Sequence, residues 1–185
     1  MDLMRIFNTY YPPGTKAHDI LLRHSRKVTE KAGLIAEKLG SSRVNLKFVQ
    51  EAAFLHDIGI CRTHAPELGC HGDLPYLAHG YKGRELLEEE GFPRHALVCE
   101  RHIGVGLTAR EIERDKLPLP VRNMVPKSLE EEIVAYADLF FSKNPLENDE
   151  ERSVEAVRQS LERFGRDKVI VFDQWHRYFS TGVPV

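Results

Sequence analysis

A chain of 185 residues with a formal charge of −2 and both signs of charge spread along its length has the size of a single domain, able to bury a core without disulfides or a structural metal. It offers no basic face for tracking a nucleic-acid backbone, which disfavours a polynucleotide substrate. It also lacks an apolar run of membrane-span length and a secretory leader pattern, so a cytoplasmic protein without membrane contact is expected. Three cysteines without a CxxC pair suit a reducing compartment.

Taken in order, the signals are helical. An amphipathic turn from Leu3 to Tyr10 ends at Pro12-Pro13-Gly14, and Phe7, Tyr10 and Tyr11 offer an apolar surface for docking onto the domain or onto a second subunit. A helix from about Lys16 to Leu39 places Leu21, Val28, Ala32, Ile35 and Leu39 on one stripe. His24 fills the gap in that stripe, so its ring is predicted to point inward. The break Gly40-Ser41-Ser42 leads into an apolar helix that closes on His56-Asp57, with Gly59 giving the backbone there freedom to relax. A loop from Ile60 to about Gly72 carries Cys61, His64, Cys70 and His71. These four could in principle clasp a zinc ion, but their spacing matches no zinc module and loop thiols with solvated imidazoles are the default reading; a third is that His64 or His71 reaches over a neighbouring metal mouth to substrate.

The next helix carries His79 and stops at Gly91, and Pro93 opens a short helix that turns His102 inward. Capping-box spacing occurs at Thr108 with Glu111, Ser128 with Glu131 and Asn148 with Glu151. The stretch between His102 and Ser128, with Pro118, Pro120 and Pro126, reads as a lid or a surface crossing. The helix after Ser128 carries Asp138 in the apolar run Ile133 to Phe141. Val169 to Phe172 has strand-like composition, but Val169, Phe172, His176 and Phe179 recur at helical spacing, which predicts a C-terminal helix packed by Trp175. His18 and His95 are expected to face solvent.

A lone histidine on an apolar face is more often a hydrogen-bonded core residue than a ligand, and neighbours on a helix diverge by roughly 100°. The His56-Asp57 pair escapes that limit by standing at a helix C-terminus, where both side chains can turn toward one ion. Asp138, set among apolar residues, needs a cation or several hydrogen bonds.

His24, the run FLHDIG from Phe54 to Gly59 and the run IVAYADLF from Ile133 to Phe140 together resemble the HD-domain superfamily of metal-dependent phosphohydrolases, in its HDIG subset, over about residues 16–143. The resemblance implies one HD domain spanning 1–185: an all-α bundle with a metal site between helices, and packing helices over about 148–180. It implies His24, His56, Asp57 and Asp138 around a first metal, and Asp57, His79 and His102 around a second. Imidazole and carboxylate ligands without thiolate suit one or two ions of Mn, Fe, Co, Ni, Zn or Mg. Such an ion makes hydroxide available near neutral pH, and Asp57 would position that nucleophile as the catalytic residue.

The implied reaction is cleavage of a phosphoester or phosphoanhydride in a small molecule, plausibly a nucleotide. The Gly-Tyr-Pro signature of cyclic dinucleotide hydrolysis is absent, and Ile60 stands where many relatives carry a lysine. Lys82, Arg84 and Arg101 are the cations considered for substrate phosphate. Two other readings have the same ligand pattern: a di-iron oxygenase, and a non-catalytic HD protein that binds a nucleotide or a partner.

Overall fold

A computed structural model describes residues 1–144 and 150–183. Helix α1 (Leu3–Tyr10) is capped by the Asp2 side chain, which accepts from the Arg5 amide. It docks onto the domain itself: Phe7 and Tyr11 are buried, and the Phe7 ring lies 5.3 Å from that of Phe54. Helix α2 (Lys16–Leu39) starts where the Thr15 hydroxyl accepts from the His18 amide and stops at Gly40. Both ends follow from local chemistry, a side-chain cap at one and a positive-φ glycine at the other.

Helix α3 (Leu46–Leu55) packs along α2 and passes through His56 and Asp57 into a 3₁₀ turn over Ile58–Arg62. The expected loop after the doublet is therefore partly regular. The turn leads into a two-stranded antiparallel ribbon, β1 (His64–Ala65) with β2 (Cys70–His71). Helices α4 (His79–Glu89) and α5 (Pro93–Arg101) follow, with Pro93 in the first turn of α5.

Gly59 has a different purpose from the one expected. Its φ is not positive; what matters is the close crossing of the 3₁₀ turn and α4, where a Cβ would overlap the His79 carbonyl oxygen and the Gly83 amide.

The segment between α5 and Ser128 is pinned as a surface crossing. It contains α6 (Ala109–Arg114), whose Thr108 and Glu111 form the predicted capping box, and a Leu107–Met124 bridge. Ile112, Leu119 and Met124 form a small core of their own against Leu77 and Tyr81. The buried Lys168 ties the segment down by pairing with Glu111 at 2.5 Å and donating to the Gly106 carbonyl at 2.9 Å.

Helix α7 (Leu129–Asp138) begins at Ser128, but only half of its predicted box forms. The Glu131 carboxylate is occupied by Arg101 and the Lys127 amide and does not reach back to the cap. In the third predicted box Asn148 lies outside the described residues; Glu151 pairs with Lys31, and α8 (Val154–Glu162) is capped by Ser153. Helix α9 (Arg166–Thr181) forms where the helical spacing predicts it despite the strand-like Val-Ile-Val-Phe run, burying Phe172, Trp175 and Phe179. No helix among the described residues is long and apolar enough to cross a membrane.

Two larger apolar cores result beside that small one. One joins Val28, Ala32, Ala53, Val134, Ala137 and Phe172; the other joins Phe7, Leu21, Leu55, Ile58, Ile60 and Cys99. Helix α2 runs through both, with Leu21 in one and Val28 in the other, so His24 stands at the seam. The α3 terminus crosses the same seam between Ala53 and Leu55, just before His56. Sequence periodicity thus delivers polar side chains to a joint between two hydrophobic clusters, where each is gripped from either side.

Candidate metal centre

His24, His56, Asp57 and Asp138 form one group of converging ligand atoms, and Asp57, His79 and His102 form another; within each group the atoms lie within 4.8 Å of one another. Five of the six residues are buried, and Asp138 is the more open, with 13% of its side chain exposed. Asp57 divides its carboxylate between the groups. Oδ2 lies 3.3 Å from His24 Nε2 and 3.2 Å from His56 Nε2, while Oδ1 lies 3.6 Å from His79 Nε2 and 3.4 Å from His102 Nε2. Asp138 Oδ1 completes the first group at 2.9 Å from His24 Nε2 and 3.2 Å from His56 Nε2.

Backbone carbonyls orient three of the four rings. The Nδ1 atoms of His56, His79 and His102 stand 2.6, 2.7 and 2.8 Å from the carbonyl oxygens of Ala53, Tyr76 and Cys99, each three residues earlier. A carbonyl only accepts, so each Nδ1 carries the hydrogen and each neutral ring turns its Nε2 lone pair inward. The Nε2 atoms of His79 and His102 then face each other across 3.2 Å with lone pairs on both sides, and His24 and His56 approach equally closely through Nε2. Apart from the Lys143 ammonium 3.0 Å from Oδ2, the two buried oxygens of Asp57 have no hydrogen-bond donor. Facing lone pairs around such an under-satisfied buried carboxylate are unfavourable unless a further cation lies among them. This donor set therefore fits a divalent metal.

Without an ion in the site, burial opposes a proton on His56, but Asp57 and Asp138 outweigh it and raise its pKa to about 10; a cation bound there would take the place of that proton. At His79 burial prevails over the pull of Asp57 and lowers the pKa to about 4, which keeps the ring neutral and free to ligate. Burial also opposes charge on Asp57 and Asp138. For Asp57 the charges of His56 and Lys143, and for Asp138 those of Lys143 and His56, hold the carboxyl well below its ordinary range.

Two supporting residues were not found from sequence. The buried Tyr11 hydroxyl shares its hydrogen between the carbonyls of Asp57 at 2.8 Å and Ile58 at 3.0 Å, and accepts from the Cys61 amide at 3.2 Å. It anchors the turn that carries the doublet. Lys143 brings its ammonium 3.0 Å from Asp57 Oδ2 and 3.1 Å from Asp138 Oδ1. Its one sequence signal is a lysine five residues beyond Asp138 in an otherwise apolar run.

The cations chosen from sequence are engaged by glutamates. Lys82 pairs with Glu85 at 2.7 Å. Arg84 pairs with Glu88 at 2.8 Å and with the buried Glu100 at 2.7 Å, and Arg101 pairs with Glu131 at 2.9 Å. Partners three or four residues away on α4 were close enough to claim the first two.

The ribbon does not bring Cys61, His64, Cys70 and His71 together as a zinc clasp. His64 pairs with His71 and Ala65 with Cys70. Alternation along the strands leaves both imidazoles exposed and buries Cys70 on the other face. Burial raises the Cys61 thiol to about 12 and that of Cys70 to about 11. His18 and His95 are also half-buried where solvent exposure was expected. His18 lies edge-on to Phe7 with Nε2 3.3 Å from Asn8 Oδ1, and His95 is wedged between Phe48 and Phe92 beside Glu51.

Comparison with known proteins places this geometry. The HD-domain family model matches residues 21–143. An uncharacterized protein of Methanocaldococcus jannaschii is 37% identical over 151 residues, covering 80% of this chain and 79% of that protein. The tRNA (cytidine(56)-2'-O)-methyltransferases of Picrophilus torridus and Thermoplasma volcanium are 33% and 30% identical over 133 and 167 residues, covering 71% and 89% of this chain. The chain spans only 34% and 43% of those two enzymes. Among solved structures, the HD domain of the L. monocytogenes phosphodiesterase PgpH is similar over 98% of this chain and 97% of that one, with a TM-score of 0.54 at 17% identity. The same domain in complex with cyclic-di-AMP gives a TM-score of 0.53, also at 17% identity, over 98% of this chain and 96% of that one. At such identity the likeness is one of fold. With a match across most of its length, and the histidines and aspartates of that match converging as ligands, the chain belongs to the HD-domain family.

Proposed function

We propose that this protein is a metal-dependent phosphohydrolase that cleaves a phosphoester or phosphoanhydride of a small molecule, with nucleotides as the substrate class. The observation that carries the reading is the division of the buried Asp57 carboxylate between two sets of histidine Nε2 atoms. His24, His56, Asp57 and Asp138 would hold one divalent ion, and Asp57, His79 and His102 a second. Ions bound there supply an ionised water at neutral pH and neutralise charge on a phosphoryl oxygen.

The chain's own residues do the rest. Carbonyls of Ala53, Tyr76 and Cys99 hold three rings in one tautomer, and Tyr11 fixes the turn bearing Asp57. The two cores exclude water from the inner side of the site, so substrate approaches from the side of Asp138, its more exposed member. Membership of the HD-domain family supports the reading, as does similarity of fold to a phosphodiesterase domain that takes a cyclic dinucleotide.

The test is elemental analysis of the purified protein beside a phosphate-release screen over nucleoside mono-, di- and triphosphates and dinucleotides, with Mn, Co, Ni or Mg added. About one to two equivalents of metal, with turnover of one nucleotide class, is the expected result. Bound iron with oxygen uptake and no phosphate release would replace the reading with an oxygenase. A nucleotide that raises the melting temperature without turnover would replace it with a binding protein.

A further inference from the structure

Lys143 lies in the irregular chain that leaves α7, with 13% of its side chain exposed. The oxygens its ammonium touches, Asp57 Oδ2 and Asp138 Oδ1, are the ones that His24 and His56 also approach. This differs from the other ion pairs around the site. Lys82, Arg84 and Arg101 each face a glutamate outside the ligand groups, whereas Lys143 faces two carboxylates that belong to them. Once those carboxylates are committed to a divalent ion, the largely enclosed ammonium has to share with that ion both of the carboxylates it pairs with among the described residues, and a weakly paired enclosed charge is costly.

A phosphoryl group entering the centre is the anion that answers it. The side chain has a flexible four-carbon stem, the backbone on either side is irregular, and a narrow cleft lined by Ile20, His24 and Phe141 adjoins it. The ammonium can therefore turn outward and remain at the mouth. Residue 60 cannot supply this charge, because it is an isoleucine and is fully buried in the second core.

We propose that Lys143 is the phosphate-recognising side chain of this site, donating to a non-bridging oxygen of the substrate phosphoryl group. The inference rests on the phosphohydrolase reading above. Its test compares full-length wild type with Lys143→Met, both loaded with Mn, by bound metal in elemental analysis and by inorganic phosphate binding in titration calorimetry. The Met variant is expected to hold the wild-type amount of Mn and to bind phosphate roughly ten- to a hundredfold more weakly. Lys143→Gln, which keeps a donor without the charge, gives the same comparison should the Met variant fail to fold. Phosphate affinity within about twofold of wild type, or loss of Mn from the variant, would overturn the inference. The latter would make Lys143 a counter-ion of the ligand set. Wild-type protein that binds Mn but no phosphate would overturn the phosphohydrolase reading as well, whereas phosphate bound equally by both proteins overturns only the role of Lys143.

Discussion

Two sets of side chains of metal-ligating type begin within a few residues of each other, one at His56-Asp57 and the other at Cys61. The first gains His24 and Asp138 from distant helices, and its atoms converge. The second, Cys61, His64, Cys70 and His71, is closer in sequence and holds the softer zinc ligands, yet its imidazoles stay exposed and its thiols turn away. The difference lies in what anchors each residue. The first set sits on or at the ends of helices clamped between two cores, with His56 Nδ1 bonded to the Ala53 carbonyl. Of the second, Cys61 lies in the 3₁₀ turn, and the other three sit on a ribbon of two-residue strands whose alternation sends neighbours to opposite faces. Proximity in sequence supplies candidates, and separate rigid supports make a centre.

The contrast breaks most completely at Asp57, which serves both groups. Asp57→Ala is expected to empty both of metal and to reduce hydrolysis to background, read by elemental analysis and phosphate release; retention of the full wild-type metal content would remove Asp57 from the ligand set. Next in size is the support beneath the doublet. Gly59→Ala forces a Cβ into backbone of α4 and is expected to cost about 3 kcal/mol in urea unfolding. A loss below about 1 kcal/mol would show that the crossing can relax.

Tyr11→Phe deletes one hydroxyl serving three backbone groups. The expected loss is about 1–3 kcal/mol, with metal affinity about tenfold weaker; unchanged metal affinity would confine Tyr11 to stability.

Smaller effects test the ribbon. The folded chain raises Cys61 to about 12 and Cys70 to about 11, so above pH 9 the unfolded chain loses thiol protons that the folded chain keeps. Stability from the buried neutral thiols is therefore fully present below pH 9 and is lost as pH rises toward 11 and 12. Urea midpoints at pH 8 and pH 10 are expected to differ more in wild type than in Cys61→Ser/Cys70→Ser, and equal differences would contradict the assignment. Smallest of all, His64→Ala/His71→Ala is expected to leave metal content unchanged, and any drop would return the ribbon to the site.

Much of this molecule was legible without coordinates. Sequence alone determined α2 from its cap to its terminating glycine, the all-helical class and the order of the six histidines and aspartates, because caps and apolar periodicity act within three or four residues. It also placed His24 on the inward stripe of α2. Tertiary structure decided the rest: the seam between two cores, the division of the Asp57 oxygens, the Tyr11 anchor 46 residues from Asp57, the glutamates that claim Lys82, Arg84 and Arg101, and the approach of Lys143. Those contacts depend on how finished helices pack. A charged side chain with several possible partners takes the one that packing brings within reach, and no local pattern encodes that choice.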